Sequence, residues 1–495
     1  MIPPQIGNIS ELRVLSIGSF HRIGFILRMQ WLSRLRWLRH LDISFIDLSK
    51  ATDWFEVINT LPSLDELHLS GCRLSDIHPH VPKLHGPIPN SIGRLSSLKR
   101  LYLSYNRLNG SIPNSIEHLS SLEVLRLPFN QLSGNLPVSL SLLSRLIVLD
   151  ISFNLLTGVV TEAHFVRLVN LKYLVGNENN LTLKLQIADW VPPFQILFLY
   201  LNSWALGPDF PLWLQSQRDL INLDISNACI SSPMPPESFW RSFPNLTYLD
   251  MLNNHIKDTL TLFFPSTLDA LDLSSNQFTG TLPSLSNGSL IPIFLDLSNN
   301  SFMGSLHQFL CFNGVNETLF LSLGYNHLSG VVPECWNNWS SLVVLILENN
   351  NLSGEISRTI GSLLNLKWLN MHGNKISGRL PSSLMNLSSL RILQLGRNEL
   401  IGNIPPWIGT KLTLLGILNL RSNNLDGNIP EKLCYLSYIQ IIDLAENNLS
   451  GNIPRCFNNF SMLSGIVDSI DEFYISLKMT APTIIASDTL VMKGQ

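Results

Sequence analysis

Six cysteines in 495 residues are too few to build a disulfide scaffold, and only 14% of the side chains carry charge. The formal net charge of −3 gives no electrostatic case for nucleic acid or an anionic bilayer as partner. No apolar run approaches the roughly 18 residues that a membrane helix needs, so this chain has no membrane segment to read. Met1-Ile-Pro-Pro-Gln-Ile-Gly lacks both the basic and the apolar region of a signal peptide. Catalytic signatures are missing as well. There is no Walker loop, no kinase glycine loop with H-R-D and D-F-G, no H-E-x-x-H and no C-x-x-C knuckle. The 12 histidines are scattered without ligand spacing. These absences argue against an enzyme and leave no cofactor and no metal site in the reading.

What the chain does have is a period. Between Leu342 and Asn459 it reads LVVLILENNNLSGEI, LKWLNMHGNKISGRLP, LRILQLGRNELIGNIP, LGILNLRSNNLDGNIP and IQIIDLAENNLSGNIP. An asparagine closes each run, at Asn350, Asn374, Asn398, Asn423 and Asn447, in steps of 24, 24, 25 and 24 residues. L-x-x-L-x-L-x-x-N-x-L at this period is the pattern of a leucine-rich repeat solenoid. The closing leucines alternate with polar positions, so one face of each short strand is buried and the other faces out. A single coil cannot bury its leucines alone, and stacking makes the core. The recurring asparagine must pair with backbone, because an unpaired amide in the core costs about 1–3 kcal/mol.

Extending the register towards the N-terminus places ladder positions at 20, 46, 72, 106, 130, 154, 179, 202, 228, 254, 276, 300 and 326, for 18 coils in all. Asn106, Asn130 and Asn154 are among the asparagines. Phe20, Ile46, Cys72 and Ala228 are the exceptions. Three segments follow: irregular repeats over 1–83, regular repeats over 84–461, and a non-repeat segment over 462–495. The 34-residue step from 72 to 106 reads as a join between coils or a long loop.

Cys311 lies 11 residues past Asn300 and Cys335 lies 9 past Asn326, and Cys434 and Cys456 repeat that phase on another adjacent pair of coils. Coils stack about 4.8 Å apart and disulfides need Cα atoms about 4.4–6.8 Å apart, so Cys311–Cys335 and Cys434–Cys456 bridges are expected on the convex side. Cys72 and Cys229 are expected as free core cysteines. Asn-x-Ser/Thr sequons at Asn180, Asn245, Asn316, Asn338, Asn386 and Asn459 are candidate glycosylation sites. Disulfides and sequons together favour the secretory pathway.

After the ladder position many coils continue L-x-G-x-[IL]-P, as at Gly110, Gly134, Gly280, Gly378, Gly402, Gly427 and Gly451. This spacing resembles the plant-type extracellular leucine-rich repeat of receptor kinases, receptor-like proteins and polygalacturonase inhibitors. Asp471-Glu-Phe-Tyr-Ile and Asp488-Thr-Leu-Val-Met-Lys-Gly-Gln resemble the opening of the island of plant receptor-like proteins, nearest to the fungal-xylanase-receptor (EIX) class. The resemblance implies an α/β repeat solenoid, a right-handed superhelix with one short parallel strand per coil. It implies a ligand-binding ectodomain on the extracellular side of the plasma membrane, serving pattern recognition and defence through a partner receptor kinase and a co-receptor. It also implies a chain that begins mid-coil and stops inside the island. Other readings of the same pattern are a secreted inhibitor of microbial cell-wall-degrading enzymes, a developmental peptide receptor, or a non-functional receptor remnant.

A protein or peptide ligand is expected on the concave face, where outward strand positions carry aromatic and basic side chains. The candidates are Tyr102, Tyr105, Arg126, Tyr173, Tyr200, Tyr248, Trp368, Arg397 and Arg421. Phe129 and Phe153, just before ladder asparagines, are divided between exposure and packing between coils. Asp42, Asp150, Asp224, Asp250, Asp272, Asp296 and Asp443 share one strand position and read as solvated carboxylates rather than a cation site.

Overall fold

The computed structural model describes residues 3–18, 25–51, 53–73, 86–187, 189–260, 265–284, 291–312 and 316–459. Ladder position 20, the segment 462–495 and the side chain of Asn459 lie outside the described residues. The chain divides into two units, residues 1–231 with 238–246, and residues 232–237 with 247–495.

Each unit carries nine three-residue inner strands among its described residues, Val14–Ser16 to Asn222–Asp224 in the first and Tyr248–Asp250 to Ile441–Asp443 in the second. Within a unit all the pairs are parallel and in strict register. Leu41, Leu67, Leu101, Leu125 and Leu149 form one row, and Leu271, Leu295, Leu321, Leu345 and Leu369 another. The period-2 alternation puts these leucines inward and both flanking positions outward. Parallel strands need a crossover, supplied here by one-turn 3-10 helices such as Asn114–His118 and Ser382–Asn386. The repeat proline opens that turn, since the carbonyl of Pro113 accepts from the Ile116 N–H at 3.1 Å and that of Pro381 from Leu384 at 3.1 Å.

The L-x-G segment is more than a turn off the strand. It forms a second parallel sheet along each unit, five strands from Gly86–Pro87 to Asn180–Leu183 and eight from Thr279–Thr281 to Asn448–Ser450. Gly378 there has φ +74°, and a Cβ would stand 2.7 Å from Glu355 Cγ. Handedness and close stacking both demand glycine at that position.

The long step from 72 to 106 turns out to be one enlarged coil. Strand Glu66–His68 pairs directly with Arg100–Tyr102, and Gly86–Pro87 joins the second sheet beside Leu108–Asn109.

The ladder asparagines do what burial requires of them. Asn374 donates through Nδ2 to the carbonyls of Leu347, Met371 and His372 at 3.0, 3.1 and 3.4 Å, and its Oδ1 accepts from the Leu352 N–H at 3.0 Å. The same set recurs at Asn130, Asn154, Asn350, Asn398, Asn423 and Asn447, and the same donor bonds at Asn106.

Position 202 is a correction. Four residues past strand Phe198–Tyr200 stands Trp204, fully buried, and its indole Nε1 donates to the Gly176 carbonyl at 2.7 Å as a ladder asparagine would. Asn202 donates to Ser226 instead. At Cys72 the thiol makes the equivalent bond, Sγ to the Ile43 carbonyl at 3.1 Å.

Both expected disulfides form, with Cα separations of 5.4 Å for Cys311–Cys335 and 5.7 Å for Cys434–Cys456. Cys72 is buried and free as expected, and burial pushes its thiol well above the usual range. Cys229 is free but exposed, against expectation. It follows ladder position Ala228 with φ +58°, where the backbone turns the side chain out of the core.

Candidate functional site

The outward strand positions form two rows on the inner face of each unit. In the first unit one row runs His40, Glu66, Arg100, Val124, Val148, Tyr173, Phe198 and Asn222. The other runs Asp42, His68, Tyr102, Arg126, Asp150, Val175, Tyr200 and Asp224. Because strands sit so close, these side chains pack sideways on one another, and sideways packing decides which of them ligands can reach.

Three expected contact residues are therefore buried. Tyr102 is only 3% exposed, its ring stacked on His68 at 4.1 Å between centroids with the Arg126 guanidinium 5.9 Å from its own centre. Arg126 is buried beside it. Tyr200 is buried with its hydroxyl accepting from Asn222 Nδ2 at 2.8 Å, and burial pushes the phenol up to about 12. Tyr173 and Tyr248 are half-buried. Trp368 is also half-buried, its indole Nε1 donating to Gln394 Oε1 at 3.2 Å. Arg397 is exposed, whereas Arg421 is engaged by Glu446 and by Asp443 at 3.6 Å.

Tyr105, Phe129 and Phe153 lie one residue before the ladder, in the left-handed region at φ +55°, +55° and +50°. That conformation costs a non-glycine residue about 1–2 kcal/mol, and the ladder asparagine clasping the bend offsets it. Their rings stack on one another at 4.4 and 4.3 Å while staying on the surface, so exposure and coil-to-coil packing both hold.

The aspartate row is a second correction. Asp150, Asp250, Asp272 and Asp296 are buried rather than solvated. Asp150, Asp272 and Asp296 each accept, through Oδ1, from the N–H and hydroxyl of the serine two residues on, a local turn that ties one carboxylate oxygen to its own strand.

In the second unit the inner face turns apolar. Ala270, Phe294, Phe320, Val344 and Ile346 pack as one strip, with Tyr248, Val343 and Trp368 against it, and Phe294 and Phe320 stack at 4.3 Å.

One polar constellation escaped the sequence reading. His40, Glu66 and His68 converge near the start of the first unit's inner face. His40 Nδ1 lies 2.8 Å from Glu66 Oε2, His68 Nε2 lies 3.7 Å from the same oxygen, and Arg100 pairs with Glu66 Oε1. Hydrogen bonding by His40, with His68 and the Arg100 guanidinium beside it, holds the Glu66 carboxyl well below the usual carboxylate range. The same bond to Glu66 raises His40 above its ordinary value, against partial burial. The signal was present as H-x25-E-x-H, one coil step plus one strand alternation, legible only once the coils are laid in register.

Of the candidate glycosylation sites, Asn180, Asn245 and Asn386 are exposed. Asn316 is buried, which corrects its assignment: its Oδ1 accepts from the Thr318 N–H at 2.9 Å and the Thr318 hydroxyl at 2.8 Å. Asn338 is half-buried and uses its Nδ2 on the Phe312 carbonyl. Among the described residues no helix is long and apolar enough to cross a membrane.

Two leucine-rich repeat family models match the chain, one over residues 88–132 and one over 63–95, 267–288, 341–363, 365–387 and 438–460. Receptor-like protein EIX2 of Solanum lycopersicum is 42% identical over 181 residues, which is 36% of this chain and 17% of that protein. The matched stretch is thus less than a fifth of the relative's length. The ectodomain of the Arabidopsis thaliana membrane receptor kinase GASSHO1/SCHENGEN3, solved with CASPARIAN STRIP INTEGRITY FACTOR 2, superposes with a TM-score of 0.73 at 27% identity over 92% of this chain and 58% of that one. The Arabidopsis receptor kinase HAESA, solved with the peptide hormone IDA and the co-receptor SERK1, gives 0.62 at 25% identity over 93% and 82%.

Proposed function

We propose that this chain, which is similar over part of its length to the leucine-rich repeat receptor-like proteins of plants, is a binding ectodomain whose inner face captures a protein or peptide elicitor in defence signalling. The observation that carries this reading is the pair of half-buried rings, Tyr248 and Trp368, that stand on the second unit's inner face and are held in place by the buried apolar strip between them. Aromatic anchors already locked by their neighbours lose little entropy on binding, and such groups dominate interface energies. Exposed Arg397 stands on the same unit as a charged donor at the rim. Signal passes to a partner receptor kinase and a co-receptor on the extracellular side of the plasma membrane, in keeping with relatives that are receptors.

The test uses the complete receptor carrying this ectodomain, expressed in leaf tissue and challenged with a purified fungal xylanase. Association with a co-receptor kinase after challenge, lost when Tyr248 and Trp368 are both changed to alanine, is the expected result. No association in the wild type, or association indifferent to the double substitution, removes the reading. A second reading, perception of a developmental peptide, is favoured by the HAESA ectodomain, solved with a peptide hormone, which superposes over 93% of this chain. It predicts a response to secreted plant peptides in the absence of any microbial protein.

A further inference from the structure

We propose that His40, Glu66 and His68 form a binding site for a divalent transition-metal ion of the zinc class on the inner face of the first unit. Their donor atoms, one from each side chain, all lie within 4.8 Å of one another. Two imidazoles and one carboxylate are the donor set that borderline-soft cations select, whereas magnesium and calcium prefer oxygen throughout. Zinc bonds of about 2.0–2.1 Å place tetrahedral ligand atoms about 3.3 Å apart. The His40–Glu66 and His68–Glu66 separations of 2.8 and 3.7 Å straddle that value.

The backbone provides the scaffold. His40 and Glu66 are register partners on adjacent strands, and Glu66 and His68 are two apart on one strand, so all three point to the same face. The second observation concerns His68. Among the described residues its Nε2 is a buried nitrogen with no hydrogen-bond partner, at 3.7 Å from the carboxylate. A buried ring nitrogen left without a partner is costly, and a metal bond satisfies it. The stacked ring of Tyr102 holds that imidazole in place, and the His40 and His68 rings stand 5.1 Å apart.

Arg100 is the opposing influence. It occupies Glu66 Oε1 and leaves Oε2 to the metal, orienting the carboxylate as an outer partner does while its charge weakens cation binding. Asp42, the register partner of His68, faces the same group and offsets that charge. Both histidine side chains are about a quarter exposed, whereas the His68 Nε2 itself is buried. On binding, the metal replaces the proton shared between His40 and Glu66.

The test is titration of the tag-free, chelator-treated full chain with Zn2+ by calorimetry, and with Cu2+ by electron paramagnetic resonance. One tight equivalent is expected, weakened more than about tenfold in His40→Gln and in His68→Gln and strengthened in Arg100→Gln. Affinity unchanged in the His40→Gln/His68→Gln double variant overturns the proposal, because binding then lies at other histidines. If that variant does not fold, the wild-type Cu2+ spectrum decides. Coupling to two imidazole nitrogens supports the site, and an oxygen-only spectrum, or no stoichiometric binding, overturns it.

Discussion

At the scale of single residues, the ladder amide satisfies buried backbone groups that no leucine beside it can. Asn374 closes four backbone groups from two coils, three carbonyls and one N–H, all in the interior. Changing it to alanine strands those groups, so Asn374→Ala is expected to cost about 3 kcal/mol. Urea denaturation monitored by hydrogen exchange of the coils on either side of Asn374 checks this. A loss below about 0.5 kcal/mol contradicts the account. Two of the natural exceptions at this position obey the same accounting, while Ile46 and Ala228 bring no donor. The Trp204 indole and the Cys72 thiol each keep the donor bond to the preceding coil, which the alanine variant cannot do.

Among elements, the convex turns show how one coil fastens the next. The Glu334 carboxylate accepts from the N–H groups of Arg358 and Thr359 at 3.0 and 3.1 Å and from the Ser357 hydroxyl at 2.9 Å, at the start of the 3-10 helix Arg358–Ser362 in the following coil. Partial desolvation opposes ionisation, but these donors prevail and hold its pKa below the usual carboxylate value. A lowered folded-state pKa means stability present above the unfolded value of about 4.3 and lost as pH falls through the folded one. Glu334→Gln is therefore expected to lower the melting temperature at pH 7, with the deficit shrinking as pH falls below the unfolded value. A deficit undiminished at pH 3 assigns the role to side-chain shape instead of charge. The second sheet belongs to this scale too. Its strands lie within a motif that reads as a turn, because glycine and proline mark breaks in most sequences, and only pairing between coils turns the segment into a ladder.

For the whole molecule, the two disulfides both belong to the second unit. Each closes a loop, spanning 24 and 22 residues, for which chain entropy gives about 3 kcal/mol. Repeat proteins distribute stability between neighbouring coils, so reduction is expected to loosen the coils around 311–335 and 434–456 while protection of the first unit's coils is unchanged. Hydrogen exchange before and after reduction measures it, and uniform loss through both units argues for one cooperative block. Exposed Cys229 offers an internal control, reacting with a thiol reagent before any reduction.

The amino-acid sequence by itself determined the coils, the leucine core, nearly every ladder position and both disulfides. Each depends on a spacing along the chain, and stacking at a fixed interval converts spacing directly into contact. Tertiary structure alone decided which inner-face side chains solvent can reach. Tyr102, Tyr200 and Arg126 alternate outward as their positions require, yet neighbours from coils 22 to 34 residues away bury them. It also decided that His40, Glu66 and His68 meet, because a spacing of one coil step plus one strand alternation becomes a cluster only through packing across adjacent strands. Strand parity sets the direction of a side chain, and lateral packing between coils sets what that side chain touches.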